Sequence, residues 1–447
     1  MSLGPLPLAA VPFAHGIGGA KDLPVSPELA IAGAVAALVV SFTVLAVAWR
    51  EPRYDAATSG RPAPGRLTRI VDSAAWAVLW RVVGMLLLAY TAMTAVLGKD
   101  LVTNPLFGIF YVWWWVGLVP ASLLFGPVWK AISPVRTIHL AIARVSRSDP
   151  ERGMYDYPEK LGHWPAAVGL FAFVWMELVY PHAVELGPVR LWCAVYLAVM
   201  IVGGALFGSR FFEYADPFEV YSSLVGRLSV WGRRDGLLVL RSPLANLDTV
   251  PVRRGLVAVV AVLFGSTAFD SFKDSVPWVT RVQDSRWPAF LLDNLGLLGF
   301  CLVVGLVFSL GCVLTGVGDD LRHRELPNLF AHSVVPIIVG YIFAHYLTYL
   351  VEVGQQTLIE ASDPFGTGSN WFGTADLGVN YWLSYHPTFL ASLKVLCVVL
   401  GHVVGVIAAH DRAVRILPRR HQLTGQLPLL LAMVAFTVGG LYLLFAA

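Results

Sequence analysis

The sequence predicts an all-α integral membrane protein of about ten transmembrane helices, with a parallel repeat of helix pairs and amphipathic helices on the cytosolic side. Three observations carry that expectation. Of 447 residues 57% are hydrophobic and only 14% charged, with mean hydropathy +0.67, whereas soluble domains carry about a quarter charged residues. Ten apolar runs are long enough to cross the hydrocarbon core of a bilayer. Arginines crowd alternate connections between those runs. A net charge of +3 over the whole chain gives no support to a nucleic-acid partner.

Residues 1–27 form an N-terminal segment outside the membrane. Its start, MSLGPLPLAAVPFAHG, lacks a basic n-region, and a signal-peptide remnant could end at Ala14. The spans follow at about 28–49, 74–97, 106–127, 164–182, 189–208, 254–271, 290–315, 329–352, 388–410 and 424–445. One set of connections holds Arg50, Arg53, Arg61, Arg66 and Arg69, then Lys130, Arg136, Arg144, Arg147 and Arg152, and later Arg210, Arg227, Arg233 and Arg234. The alternate set is poor in base, and residues 353–386 carry none. The positive-inside rule therefore puts both termini outside.

Two of the basic connections resemble each other. FGPVWKAISPVRTIHLAIARVS begins at Phe125 and FGSRFFEYADPFEVYSSLVGRLS at Phe207. Ser133-Pro134 and Asp216-Pro217 stand 83 apart, as do Arg144 and Arg227. Each copy reads as a span entering the cytosol, an N-cap, proline at N1 and an amphipathic helix lying on the inner membrane surface. Asp216 with Glu219 three later also fits a capping box. Both copies run the same way through the membrane, so the repeat is parallel.

Ionisable groups at membrane depth are costly, so they mark sites. In the eighth span Tyr341, His345, Thr348, Tyr349 and Glu352 recur at helical spacing. His345 and Glu352 lie within about 20° of one face, a stripe about 16 Å long. Glu177 in the fourth span and Asp270 in the sixth fall at a similar depth in the outer half. Glu177, Asp270, His345, Tyr349 and Glu352 are thus the candidate polar site, with residues 353–386 a long loop above it. If His15 were a mature N-terminus, its imidazole and amine would join Glu177, Asp270 and His345 as ligands for zinc, copper or iron.

The other histidines read differently. His332 and His410 sit at the cytosolic boundary, with Asp411 and Arg412 solvated. His402 lies between Gly401 and Gly405, a small-xxx-small spacing that permits close helix contact; it is either a packing histidine or a cofactor ligand. His332 and His345 differ by about 140° around their helix, His402 and His410 by about 80°, so stacked haems are not favoured. The four cysteines fall in apolar runs and read as small hydrophobes.

The stretches AHGIGGAKDLPV, LFGPVWKAISPVRTIH, GLFAFVWMELVYP, DPFEVYSSLVGRLS, TAFDSF, AHSVVPIIVGYIFAHYLTYLVEVGQ and DPFGTGSNWFGTAD resemble a family of bacterial multi-span membrane proteins named fenitrothion hydrolase. The resemblance extends over most of the chain. It implies a bacterial plasma-membrane location and hydrolysis of an organophosphate triester, for which a metal-activated water at a His/carboxylate site is reasonable chemistry. The residues themselves leave three classes open: a metal-dependent membrane enzyme, a metal-ion or small-solute permease, and a haem or redox subunit or assembly factor with a membrane-protein partner. Lipid is the partner common to all.

Overall fold

The computed structural model describes residues 19–315, 322–418, 422 and 424–445. It is built of helices: α1 (Pro27–Ala48), α2 (Ala74–Leu97), α3 (Pro105–Val116 continuing as Leu118–Phe125 across a 41° bend), α4 (Val128–Ile132), α5 (Pro134–Val145) and α6 (Trp164–Leu178). These are followed by α7 (Leu186–Phe207), α8 (Arg210–Ala215), α9 (Pro217–Gly226), α10 (Leu256–Lys273), α11 (Ala289–Val313), α12 (His323–Glu360), α13 (Pro387–Ile416) and α14 (Leu427–Phe445). Among the described residues eight helices are long and apolar enough to cross a membrane, or nine with the bent α3; α6 is a shorter apolar helix. The chain is an all-α polytopic membrane protein.

Local chemistry starts these helices where the sequence marks them. Ser26 accepts from the Leu29 N–H ahead of Pro27, Ser73 from Trp76, and Asn104 from Leu106 ahead of Pro105. Burial then sorts them. α10 and α12 are central, with 72% and 78% of their most apolar windows buried, against 17% for α2 and 22% for α7. The peripheral helices expose Leu86, Val96, Leu97 and Leu191, each about two-thirds accessible. That apolar surface belongs against lipid tails, not water.

The tightest seam joins α12 to α13 through glycines. A Cβ on Gly340 would lie 2.4 Å from the Cys397 carbonyl oxygen, and one on Gly401 or Gly405 would lie 2.7 Å from the Pro336 or Ser333 carbonyl. The Gly401/Gly405 spacing thus works as expected, letting backbones approach where a side chain would hold them apart.

The repeat reappears in the packing. α5 packs on α7 while α9 packs on α3; α2 meets α4 and α5 while α6 meets α8 and α9. The two copies therefore exchange their short helices. Lys130 pairs with Glu213 and Arg136 with Glu219, each 83 residues away. Residues that meet their own equivalents lie on a two-fold axis.

Three expectations need correction. α9 does not lie on a membrane surface: Pro217, Phe218, Glu219, Val220, Tyr221 and Ser222 are all buried, wedged between α3, α4 and α6. Only α5 keeps an exposed apolar edge, at Ile142 and Val145. The capping box is incomplete. Asp216 does accept from the Phe218 and Glu219 N–H groups, but the Glu219 carboxylate turns to Arg136, and the Asp216 N–H is already spent on the Phe212 carbonyl. The 353–386 loop begins later, because a helix persists through Gly354–Glu360. Beside the helices, without changing the all-α class, a small antiparallel sheet of order β1-β3-β2 pairs β1 (Arg61–Pro62) and β2 (Trp231–Arg234) with β3 (Leu237–Leu240). Its hairpin turns at Asp235 and Gly236, both at positive φ, the backbone an Asp-Gly turn requires.

Candidate functional site

Glu177, Asp270 and His345 converge, the first two in the last turns of α6 and α10 and the third well inside α12. The His345 Nε2 lies 2.9 Å from Asp270 Oδ2, and its Nδ1 lies 3.1 Å from Ser271 Oγ. Tyr346 donates to the same Asp270 Oδ2 at 2.7 Å, while Lys273 Nζ stands 3.3 Å from Oδ1. Tyr341 donates to Ser271 Oγ at 3.0 Å. Asp270 is 3% exposed and His345 5%, so these are interior ionisable groups.

Glu177 and Tyr349 complete the cluster electrostatically. Glu177 lies within electrostatic range of Asp270, Lys273, Tyr346 and Tyr349, and of Tyr111 on α3 and Tyr221 on α9. Its Oε2 is buried with no hydrogen-bond partner among the described residues. Two π-helical stretches, Gly108–Val116 and Tyr349–Val353, pack against each other beside the cluster, and Trp113 Nε1 donates to the Gly354 carbonyl at 3.3 Å. Inserted π turns commonly mark functional positions in a helix.

The network can carry either protonation state of His345. When the ring is neutral, Nε2–H donates to Asp270 and Nδ1 accepts the Ser271 hydroxyl, which in turn accepts from Tyr341. When the ring is charged, both nitrogens donate, and the Ser271 hydrogen has a second acceptor in the Thr267 carbonyl at 3.1 Å. Buried polar groups must stay paired, and here a single hydroxyl rotation keeps them so.

The remaining predicted residues fall elsewhere. Glu352 shares the stripe but serves the loop, accepting from Ser384 N–H at 3.1 Å and from its hydroxyl at 2.6 Å. That loop is knit by Asp363, which accepts from Thr367, Gly368 and Ser369; these donors outweigh its desolvation and hold its carboxyl below the ordinary range. His402 is fully buried at the α12–α13 seam, its Nδ1 on the Val398 carbonyl at 2.9 Å and its Nε2 buried without a hydrogen-bond partner among the described residues. His15 lies outside the described residues. Among the described residues no three His, Cys, Asp or Glu side chains are gathered as a metal would need, and the cysteines are free.

The boundary reading of the other histidines needs revision. His410, Asp411 and Arg412 are buried, not solvated. His410 bridges Gln426 and the Trp49 carbonyl, Asp411 accepts from the Trp49 indole and the Arg53 N–H, and Arg412 pairs with Asp248. His410 and Asp411 rivet α13 to the connection after α1, and Arg412 ties it to the segment ahead of α10. His332 is buried on the Leu329 carbonyl nearby.

Sequence reasoning missed Lys273, Ser271 and Tyr346. Lys273 was within reach, one helical turn past Asp270 and so on its face. Tyr346 carried no such signal, since adjacent residues on a helix point apart. No family model, curated protein or solved structure matches this chain.

Proposed function

We propose that this protein is a proton-coupled membrane permease for an ion or small solute, with Asp270 and His345 as the proton-exchanging pair and Glu177 as the carboxylate they answer to. The observation that supports this reading is the Tyr341–Ser271–His345–Asp270 chain, which accommodates both protonation states of one imidazole. Ionisable residues inside a bundle characteristically serve proton relays and ion paths. Lys273 supplies a fixed countercharge, so the pair can gain or lose a proton without leaving several carboxylates uncompensated.

The arginine distribution supports an orientation with both termini outside, which puts the cluster in the outer half beneath the Asp363 loop. Reporter fusions at the C-terminus test it: periplasmic alkaline phosphatase should be active there and green fluorescent protein dark. The reverse result would overturn this orientation.

Transport is tested in liposomes with an entrapped pH dye, challenged with pools of metal ions, organic acids, amino acids and sugars. Wild-type protein should move protons with one pool. Glu177→Gln and Asp270→Asn should reduce that flux at least tenfold, while the exposed Glu185→Gln should not. Proton movement with none of the pools sinks the proposal.

A second reading is favoured by the free Glu177 Oε2 facing the charge of Asp270. Two such carboxylates could hold zinc, copper or iron, and the resemblance to fenitrothion hydrolases would make that site one for triester hydrolysis. His345 would then have to release Asp270 or Ser271 to bind. Stoichiometric metal in purified protein, lost in His345→Ala, together with triester turnover, would favour it over the permease.

A further inference from the structure

A cavity of about 220 Å³ opens at the arginine-rich end, away from the cluster described above. Arg81, Lys130, Ser133, Arg136, His139 and Glu151 line it, so three fixed cations face one carboxylate. Its size leaves room for a phosphate with water, a water's share being about 30 Å³. The first turn of α5, capped by Ser133, adds its partial positive charge.

The cations are positioned differently. Arg136 is gripped by Glu219 through Nε and Nη2, at 2.5 and 2.6 Å, and Lys130 by Glu213 at 2.6 Å. Arg81 forms no ion pair among the described residues. It sits seven residues into α2, about 10 Å along the helix, where an uncompensated charge is expensive. The close approach of α2 to α4 fixes it there, since a Cβ on Gly84 would overlap the Ile132 carbonyl.

The repeat sharpens the point. At the 83-residue offset, Lys130, Ser133 and Arg136 correspond to Glu213, Asp216 and Glu219, and Arg81 to Trp164. One copy has kept a cationic pocket; the other supplies the carboxylates that orient it. The fold alone would be served by either copy bearing either sign. A half-buried arginine without an ion pair among the described residues, in a cavity where cations outnumber the one carboxylate, is what an exogenous anion would complete.

We propose that this cavity binds a phosphate-bearing anion, with Arg81 as its principal ligand and Arg136 and Lys130 alongside. Arginine's fork suits phosphate oxygens. The phosphate could arrive on a lipid headgroup or free in solution. The two helices that flank the cavity expose apolar side chains, Val78 and Val82 on α2 and Ile142 and Val145 on α5, against which acyl chains could lie.

The test uses purified protein in phosphatidylcholine nanodiscs, read by thermal unfolding. One arm adds phosphatidylglycerol to the nanodisc; the other adds inorganic phosphate to a zwitterionic one. A rise in melting temperature in the lipid arm assigns a headgroup, and a rise in the phosphate arm assigns a soluble anion. Arg81→Gln should lose most of the rise in the responding arm, and Arg81→Lys should recover part. Arg66→Gln, an exposed arginine outside the cavity, should keep all of it. No rise in either arm, or an undiminished rise in Arg81→Gln, overturns the proposal. Should Arg81→Gln not fold, a reduced rise in folded Arg81→Lys upholds it and an undiminished rise there overturns it.

Discussion

Asp270 holds its place through three kinds of neighbour: an imidazole, a phenol and an ammonium. Removing one partner from such a buried pair costs about 3–5 kcal/mol, because the survivor keeps its desolvation penalty. Asp270→Asn should therefore lower stability strongly, by a few kcal/mol, and Asp270→Asn with Lys273→Met should cost less than the single change. Thermal unfolding of the three proteins in one detergent checks this, and a more damaging double variant would refute it. At this scale the sequence carried the expensive residues. Glu177, Asp270 and His345 declare themselves because ionisable groups inside apolar runs need a reason. Which of them touch was not legible, because it depends on helix rotation and on which helices are neighbours. Glu352 shows the limit: it shares a face with His345, yet reaches past the cluster to Ser384.

Helices and their caps were legible where single residue types decide them. Ser133-Pro134 and Asp216-Pro217 start α5 and α9 as the pattern says, while burial of α9 follows from what packs around it and leaves no local trace. Asp216 pays for that burial. Desolvation and the Glu219 carboxylate push its pKa up from 3.8 to about 7, against donors from Trp129, Glu219 and Tyr196. Because the folded pKa exceeds the unfolded one, its contribution is full below about 3.8 and is lost as pH rises through 7. His163 works in the opposite sense. Burial lowers its pKa from 6.5 to about 4, with Arg253 adding to the effect against the Tyr214 carbonyl, so its contribution is present above 6.5 and fades as pH falls through 4. Melting curves from pH 8 to 5 should show wild type gaining on Asp216→Asn as the pH falls, and losing ground to His163→Gln. The α12–α13 seam gives a sterically simpler case. Gly340→Ala should cost about 1–3 kcal/mol as overpacking, since the methyl meets a carbonyl oxygen on the facing helix and backbone must move. An unchanged melting temperature would show that the seam is looser than drawn.

Across the whole molecule the two copies meet at opposite charges in equivalent positions. A symmetric ancestor of this contact would set like against like, lysine on lysine and arginine on arginine, which is repulsive. Divergence to Lys130–Glu213 and Arg136–Glu219 converts that repulsion into attraction and fixes which copy takes which side. The second pair matters more, because its side chains are 14% and 1% exposed against 48% and 39% for the first, and exposed pairs are worth about 0–1 kcal/mol. Lys130→Ala should thus change stability little. Glu219→Gln should cost a few kcal/mol by leaving Arg136 buried without its carboxylate. The exchange Arg136→Glu with Glu219→Arg puts the same two charges back across the pseudo-two-fold axis, so it should recover a substantial part of what either single reversal loses. Recovery is incomplete because Ser209, whose carbonyl Arg136 also uses at 3.3 Å, has its equivalent on the far side of the axis. Melting temperatures of the two single reversals and the exchange measure that coupling directly. Additive losses would mean that the two sites are independent and the axis is only a likeness of chain paths.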